Sequence, residues 1–294
     1  MDPIITENPD GTIHAIYYLY HPSKAAGWAF LVLFGILTLG HFVAMFPFRS
    51  KFVTPLVIGG IMETFGYYGR AWAGSKSDNI GPWALQALLI MSAPPLISAT
   101  VYMSFGRLIS VLEEQGNALM RPKWITPVFL TGDIIAFISQ IAGVGLQTTT
   151  SQSIQATGQK VVIAGLVFQL ILLLCFLANL VVFNKRTNEN PTTVSENPQL
   201  PRWRLQILSL CISTACIWVR NLVRIAEYGQ GPKGSIAAHE VFLYIFDAVP
   251  MCAVLTLLLV IHPGRFLQRA RRLKPATVTT PDEPKIEEES SRLV

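Results

Sequence analysis

The sequence is poor in charge and in cysteine. Only 14% of the 294 residues are charged, against about 25% in a typical soluble domain. The four cysteines all fall in apolar stretches, and their spacing fits neither a zinc site nor a disulfide framework. The chain also lacks a Walker-type phosphate loop and a basic helix with interleaved aromatics. We therefore expect neither nucleotide hydrolysis through that loop nor a nucleic-acid partner.

Long apolar stretches are what the sequence has in abundance, since 51% of its residues are hydrophobic. Seven stretches of roughly 20 residues are each long enough to cross a hydrocarbon core of about 30 Å. We place them near 25–46, 53–74, 83–108, 125–147, 161–183, 205–226 and 239–261. The pattern predicts an all-α, polytopic membrane protein whose seven-transmembrane-helix bundle occupies residues 25–264.

Lysine and arginine are unevenly distributed between the two sets of connections. One set carries Lys24, Lys76, Lys160 and Lys233. The other carries thirteen basic residues: Arg49, Lys51, Arg121, Lys123, Lys185, Arg186, Arg202, Arg204, Arg265, Arg269, Arg271, Arg272 and Lys274. Cytoplasmic loops carry the excess of positive charge. The bias therefore predicts an external amino terminus and a cytosolic carboxyl terminus.

The two ends of the chain differ in composition from the apolar region. Residues 1–24 lack the basic start and short apolar core of a cleavable signal peptide, so we interpret them as an extracellular tail. Residues 265–294 are basic, then rich in proline, then acidic. That composition predicts a disordered cytosolic tail.

Four predicted spans carry polar residues seven positions apart, an interval that returns a helical side chain to within about 20° of the same face. These stripes are Glu63 and Arg70; Asp133, Gln140 and Gln147; Arg220 and Glu227, with Arg224 beside them; and Glu240 and Asp247. A charge at the bilayer centre costs at least about 2.5–3.5 kcal/mol, so such groups normally face inward and pair. We expect a polar cavity in the outer half of the bundle, with Glu63 and Arg70 as one buried pair.

Three prolines support a cavity as well. Pro94 and Pro95 lie in the third span and Pro250 in the seventh, where each removes a backbone donor. Such breaks are tolerated at depth where protein or a water-filled cavity satisfies the freed groups. Each polar residue or proline alone is equally compatible with interhelical hydrogen bonding or ordinary packing. The complete set favours a functional cavity.

The candidate residues fall into two groups. The candidate substrate-binding residues are Glu63, Arg70, Asp133, Gln140, Arg220, Glu240 and Asp247. The supporting residues are Arg224, Glu227, Pro94, Pro95 and Pro250, of which Arg224 and Glu227 are the most readily explained as interfacial. We assign no catalytic residue, no metal ligand and no cofactor.

Several motifs together resemble the fungal lipid-translocating exporter family, the RTA-like proteins associated with aminocholesterol resistance. They are ETFGYYGR (63–70), SAPPLISATVYMSFGRLI (92–109), TGDIIAFISQIAGVGLQ (131–147), GLVFQL (165–170), RNLVRIAEYGQGPKGSIAAHEVFLYIFDAVPM (220–251) and HPG (262–264). The resemblance covers about residues 24–265. It implies a seven-helix fungal membrane protein that handles sphingoid bases, phospholipids, sterol-like amines or, for some relatives, porphyrins. It also implies a role in stress response or drug resistance.

Three functions compete at this point. The leading hypothesis is a transporter or exporter of an amphipathic lipid or lipid-like toxic compound. In that hypothesis a headgroup amine meets Glu63, Asp133 and Asp247, while Arg70 and Arg220 either engage a phosphate or hold those acids ionised and oriented. The partners are then the bilayer and its lipids, and the plasma membrane is the expected location, with an internal membrane left open.

The alternative is a seven-helix receptor or sensor that regulates lipid asymmetry or stress response without carrying cargo. The predicted helix count matches that of seven-helix receptors. Against this alternative, the third span ends in GRLISVLEEQ and lacks a D-R-Y-like sequence. An intramembrane hydrolase requires several metal ligands, and of the five histidines only His41 is expected at depth. We therefore predict that the protein is not an enzyme.

Overall fold

The computed structural model describes residues 4–7, 13–16, 20, 22–75, 80–147, 149, 151–191, 203–230 and 234–273. Long helices dominate this part of the chain: α1 Lys24–Met45, α2 Thr54–Ala73, α3 Ile80–Leu112, α4 Pro122–Gln147, α5 Gln152–Glu189 and α6 Trp203–Gln230. A 3₁₀ turn, Lys51–Val53, leads into α2. The bulk of the fold is helical, as the apolar stretches predict.

The seventh helical stretch is broken into pieces. The short helices α7 Ser235–Ala238 and α8 Glu240–Leu243 lead into a π-helical turn, Tyr244–Ala248, which continues as α9 Val249–Val260 and is followed by α10 Pro263–Leu273. Pro250 follows the π-helical turn directly within this continuous helical stretch and removes one backbone donor there. The π-helical turn therefore lies just before Pro250 and contains Asp247.

The helices pack as a ring. Each long helix contacts the next along the chain, and α9 closes the ring by packing between α6 and α1. Helix α3 also crosses the bundle to contact α6, and α10 packs against α3 and α6. Consequently α2, α3, α6 and the π-helical turn all border the same interior.

Glycines in α2 permit its close approach to both neighbours. A Cβ atom on Gly59 would lie 3.0 Å from the Ala93 carbonyl oxygen of α3, and one on Gly69 would lie 3.0 Å from the Gln86 nitrogen. Gly60 instead faces Thr38 of α1. A side chain at these positions would push the helices apart, so the glycines allow the close packing of α2.

Six helical stretches are long and apolar enough to cross a membrane: Lys24–Met45, Gly81–Leu112, Pro122–Gln147, Gln152–Glu189, Trp203–Gln230 and Glu240–Leu273. Helix α2 is not among them, although it has 20 residues. Its mean hydropathy is reduced by Glu63, Arg70 and its glycines. The protein is thus an integral, multi-pass membrane protein, while the count of seven spans and the orientation stay predictions.

Both predicted tails contain structure that composition did not indicate. Strands β1 Ile4–Glu7 and β2 Ile13–Ile16 of the amino-terminal tail pair as an antiparallel hairpin. The fold class is all-α as predicted, because the long elements of the described chain are helices. Residues 265–273 of the expected disordered tail belong to α10, which buries Phe266, Leu267 and Ala270. This apolar face packs on the bundle and orders the helix. Residues 274–294 lie outside the described residues.

Candidate functional site

A buried ion cluster joins α6 to the π-helical turn. Arg220 Nε lies 2.6 Å from Asp247 Oδ1, and Arg224 Nη2 lies 3.2 Å from the same oxygen. Arg224 Nη1 also lies 3.0 Å from Glu227 Oε2. Arg220 and Arg224 fall one turn apart on α6, so both guanidinium groups reach one carboxylate. We call Arg220, Arg224, Glu227 and Asp247 the arginine centre.

The broken seventh stretch explains how Asp247 meets two arginines. A π-helical turn widens the helix and redirects the side chains it carries, and such turns are frequent at functional sites. Asp247 lies within this turn and is only 3% exposed. Its Oδ2 accepts a long hydrogen bond of 3.4 Å from Tyr67 Oη of α2. The turn therefore directs Asp247 toward α6 and α2 together.

Pro94 has a direct role in this centre. Proline has no amide hydrogen, so Pro94 leaves the carbonyl of the residue four positions earlier, Ile90, without its helical donor. Arg220 Nη2 donates to that Ile90 oxygen at 2.9 Å. The helix α3 continues through Pro94 and Pro95 because the polar interior supplies the missing donor. The expectation that a protein group satisfies a freed carbonyl is confirmed here.

Glu63 is buried beside the centre but is not bonded to it. The residue is 0% exposed, and neither carboxylate oxygen has a hydrogen-bond partner within the described part of the chain. Glu63 interacts electrostatically with Asp247, Arg220 and Arg224. The predicted Glu63–Arg70 pair is therefore wrong. The two side chains share a face of α2, but they meet different neighbours.

Arg70 instead forms an outer pair with Glu240, which lies at the start of α8. Arg70 Nη2 lies 3.0 Å from Glu240 Oε1 and donates to Tyr20 Oη at 2.5 Å. Glu240 also accepts hydrogen bonds from the Ser23 backbone amide at 2.9 Å and from Tyr244 Oη at 2.9 Å. This outer pair therefore ties the start of α1 to α2 and α8.

Tyr20 lies ahead of α1 and stays a neutral acceptor in this pair. Burial raises the pKa of the Tyr20 hydroxyl above its ordinary value, and the neighbouring Arg70 lowers it by less. The phenol therefore keeps its proton at physiological pH. Aromatic rings then fill the space toward the arginine centre, with Phe30 stacked on Tyr244 at 5.1 Å and Phe34 on Tyr67 at 5.2 Å between ring centroids.

Asp133 lies in a different neighbourhood. It accepts a hydrogen bond from Tyr102 Oη at 2.9 Å, and no basic residue in the described ranges forms an ion pair with it. The Tyr102 ring packs against Phe129 and Phe176 at 5.5 and 4.6 Å between centroids. Asp133 therefore lies apart from the arginines, because α4 directs it toward α3 and α5.

The rest of the fourth-span stripe is buried as predicted. Gln140 and Gln147 are each 3% exposed. Gln140 Nε2 donates to Gln169 Oε1 of α5 at 3.1 Å. This bond is of the kind expected for interhelical packing, yet Gln140 also borders a cleft. The stripe therefore divides between an aromatic neighbourhood at Asp133 and a cleft at Gln140.

Two clefts meet at the arginine centre. The larger encloses about 510 Å³, open solvent included, and its lining is Trp83, Gln86, Ala87, Ile90, Met91, Gln140, Leu166, Arg220, Arg224 and Tyr228. The smaller encloses about 290 Å³ on the same basis, and its lining is Arg220, Val223, Arg224, Glu227, Ile236, Phe242, Leu243, Phe246 and Asp247. Arg220 and Arg224 border both. The supporting residue Arg224 is thus central to the site and not merely interfacial.

The two clefts differ in charge. The larger cleft is lined by two charged residues, Arg220 and Arg224, and both are basic. The amide side chains of Gln86 and Gln140 also line it. The smaller cleft has the same arginines together with Glu227 and Asp247. An anionic group therefore fits the larger cleft better than an ammonium group does. Gln86, Trp83 and Tyr228 line this cleft and lie outside every polar stripe, so the seven-residue interval did not indicate them.

Histidines do not assemble a metal site in the described ranges, which contain no cluster of three or more potential protein ligands of the His, Cys, Asp or Glu type. His41 Nε2 is 2.9 Å from the Leu255 carbonyl oxygen, and its ring lies 6.0 Å from that of His262. His41 is buried, as expected, and contacts backbone rather than a carboxylate. His21 lies outside the described residues.

Comparison with known proteins relates the chain to one family. Residues 56–270 match the family described as "RTA1 like protein". The "Protoporphyrin uptake protein 1" of Saccharomyces cerevisiae is 34% identical over 275 residues, which cover 82% of this chain and 89% of the relative. "Protein RTM1" of the same species is 36% identical over 220 residues, covering 73% and 69%.

A third yeast relative, "Sphingoid long-chain base transporter RSB1" of Saccharomyces cerevisiae, is 27% identical over 266 residues, covering 80% of this chain and 70% of the relative. No solved structure matches. The ring of helices and its arginine centre are therefore described from this chain alone.

Proposed function

The chain belongs to the family of RTA1-like proteins, and on that premise we propose that it translocates an amphipathic lipid or lipid-like toxic compound across a membrane. The names of relatives support a lipid-related transport role, since they include a sphingoid long-chain base transporter and a probable lipid transporter. This transport contributes to membrane-lipid homeostasis or to resistance. We further propose that the protein works without catalytic chemistry.

The single observation that carries this proposal is the two-sided lining of the larger cleft. Arg220, Arg224, Gln86 and Gln140 form its polar side, and Ile90, Met91, Leu166 and Ala87 form its apolar side. Binding pockets for small molecules combine apolar walls with a few convergent polar groups. A headgroup fits the polar side, while the hydrocarbon chain leaves along the apolar wall into the bilayer.

The position of the arginines supports a route for the headgroup. Arg220 and Arg224 border both clefts, so a headgroup held by them in one cleft stands next to the other. A phosphate or carboxylate pairs well with the planar guanidinium fork. Asp247 holds the same arginines when no headgroup is bound, and a headgroup therefore replaces Asp247 rather than entering an uncompensated pocket. Exchange of these partners moves the headgroup past the arginine centre.

The role of the acids changes with this arrangement. The sequence alone suggested that an amine headgroup meets Glu63, Asp133 and Asp247. Glu63 and Asp133 line neither cleft, and Asp247 is engaged by two arginines. We therefore propose that the anionic part of the cargo makes the principal contact. We also propose seven spans, with α2 as the second, an external amino terminus and a location in the plasma membrane.

The test is transport by purified protein in proteoliposomes. Fluorescent analogues of a phospholipid and of a sphingoid base are loaded, and their movement between leaflets is measured. We expect the rate of movement between leaflets to be at least about tenfold lower with Arg224→Gln than with wild type. A tenfold change corresponds to about 1.4 kcal/mol of lost binding free energy. The matched control is Lys185→Gln, which removes an exposed basic residue on α5.

Two results would contradict the proposal. One is wild-type protein that is folded and inserted yet moves no analogue; the sensor hypothesis then takes its place, tested by searching for an intracellular partner. The other is equal movement by wild type and Arg224→Gln, which would remove the arginine centre from the route.

A further inference from the structure

Glu63 is a carboxyl group that the transport route does not use directly. It lines neither cleft, is 0% exposed, and has no hydrogen-bond partner for either oxygen among the described residues. A buried ionised carboxylate without a partner is costly, and the usual solution is to bind a proton. A proton is small enough to reach a group that lines neither of these two clefts.

The neighbours of Glu63 come from several elements. The charged and titratable groups that interact with it are Asp247 of the π-helical turn, Arg220 and Arg224 of α6, Tyr67 of α2 and Cys252 of α9. Helices α1 and α3 also pack against α2. The titratable residues His41 of α1 and Arg107 of α3 interact with other groups. The charge state of Glu63 is therefore linked chiefly to the arginine centre.

A charge count shows what that linkage does. Within the arginine centre two arginines face two carboxylates, Asp247 and Glu227. These four groups balance, so an ionised Glu63 adds one uncompensated negative charge. An anionic headgroup on Arg220 and Arg224 also adds one negative charge. Two surplus negative charges in a low-dielectric interior repel each other strongly.

We propose that Glu63 is a proton-binding site linked to the arginine centre, so that an anionic headgroup binds in the larger cleft together with one proton on Glu63. The inference rests on the proposed function for the role of that cleft. The step balances at a pH where Glu63 is ionised in the unbound protein: its carboxylate takes a proton from water, the headgroup brings one negative charge, and the net charge of the region is unchanged. Release of the headgroup returns the proton to water.

The linkage has a definite sign. The protonated form of Glu63 binds the anion more tightly, so affinity is highest at low pH. Affinity falls as pH rises through the range in which Glu63 loses its proton, by about tenfold for each pH unit when one proton is linked. A difference in pH across the membrane then drives the anionic cargo from the acidic side toward the other.

The experiment measures binding and proton uptake in detergent solution. The probe is dihexanoyl phosphatidylglycerol, whose phosphodiester keeps one negative charge from about pH 5 to 9, given the low pKa of such a group relative to a carboxyl. Affinity is measured by calorimetry across that range, and proton uptake by a pH indicator in weakly buffered solution. Zwitterionic dihexanoyl phosphatidylcholine reports the effect of charge, and glycerophosphoglycerol reports the headgroup without its chains.

We expect wild type to bind the anionic lipid more weakly as pH rises and to take up about one proton per bound lipid at the upper end of the range. Glu63→Gln, which is isosteric and mimics the protonated acid, is expected to lose both effects and keep tight binding at high pH. Glu189→Gln, an exposed carboxyl on α5, is the matched control and is expected to behave as wild type.

Three outcomes would overturn the inference: affinity of wild type that is independent of pH, no proton uptake, or identical behaviour of Glu63→Gln. If Glu63→Gln does not fold, Glu63→Asp is used instead, because it keeps a titratable group. Proton uptake on lipid binding by both wild type and Glu63→Asp would support the inference, and its absence in both would overturn it. Equal affinity for glycerophosphoglycerol would identify a site for free anions and overturn the lipid assignment.

Failure of this inference is distinguishable from failure of the proposed function. Proton-linked binding without movement in proteoliposomes would contradict transport and leave the Glu63 site standing. Movement without any proton linkage would do the reverse.

Discussion

Two of the buried carboxylates, Asp133 and Glu63, have different surroundings although each is 0% exposed. Asp133 Oδ2 accepts a hydrogen bond from the Tyr102 hydroxyl among aromatic rings, and its Oδ1 has no hydrogen-bond partner among the described residues. Glu63 has no hydrogen-bond partner in the described part of the chain, yet it interacts electrostatically with Asp247 and with two arginines. Equal burial therefore accompanies unequal chemistry.

The difference teaches which buried acid is suited to change its charge. A hydroxyl that donates to Asp133 stabilises one local arrangement and offers no route for an ion. The arginine centre borders two clefts and holds alternative partners for the same guanidinium groups. We therefore interpret the surroundings of Asp133 as interhelical packing and those of Glu63 as part of the working site.

The largest effect is expected from a substitution in the arginine centre. Arg220→Gln removes the 2.6 Å contact with Asp247 and the donor to the Ile90 oxygen. Removing one member of a buried pair costs about 3–5 kcal/mol, so we expect a large loss of thermal stability and of transport. Stability is measured by thermal denaturation and transport in proteoliposomes.

The control for this prediction is the double variant Arg220→Gln with Asp247→Asn. It removes both charges, so it is expected to recover stability without recovering transport. Recovery of full transport would show that the pair has only a packing role.

The next effect separates the outer pair from the arginine centre. Arg70→Gln removes the partner of Glu240, whose side chain is 17% exposed and therefore reached by water. We expect a loss of about 1–3 kcal/mol, the cost of an unsatisfied polar group, which is smaller than for Arg220→Gln. Chemical or thermal unfolding measures it, with Lys185→Gln as the control. A loss of stability equal to that of Arg220→Gln would contradict the distinction between the outer pair and the arginine centre.

A smaller effect tests the packing side. Tyr102→Phe removes the hydroxyl that donates to Asp133 and keeps the aromatic packing. Interhelical hydrogen bonds in membranes average about 0.6 kcal/mol and reach about 1.7 kcal/mol. We expect a loss of stability in that range and a transport rate within about twofold of wild type once the protein is folded. A severe loss of transport at unchanged stability would place Asp133 in the route.

The smallest effect concerns the amino-terminal contact. Tyr20→Phe removes the acceptor of one Arg70 hydrogen bond, and Glu240 remains as the partner of Arg70. We expect a loss of about 0.5–1.5 kcal/mol, measured by unfolding. Because burial raises the pKa of Tyr20, this contribution is expected to persist to alkaline pH. Its disappearance near neutral pH would contradict a neutral phenol at this position.

Particular residues show how far sequence reasoning extended. The seven-residue interval predicted burial for Glu63, Arg70, Asp133, Gln140, Arg220, Glu227 and Asp247, and all of them are at most 7% exposed. Glu240 of the same interval is only half-buried, with a side chain 17% exposed. Partner choice was less predictable: Arg70 pairs with Glu240, 170 positions away, instead of with Glu63 on its own helix. Gln86, Tyr102 and Tyr20 belong to no stripe, so no pattern indicated them.

What the sequence by itself determined is the set of membrane helices and the faces they bury. Hydrocarbon imposes both locally, because it demands an apolar stretch of fixed length and turns each charged face inward. Only the tertiary structure decided which polar residues contact each other. The closure of α9 onto α1, the crossing of α3 over α6 and the π-helical turn at Asp247 bring distant residues together. Pairing depends on the distances between helices, and those distances follow from packing around the complete ring.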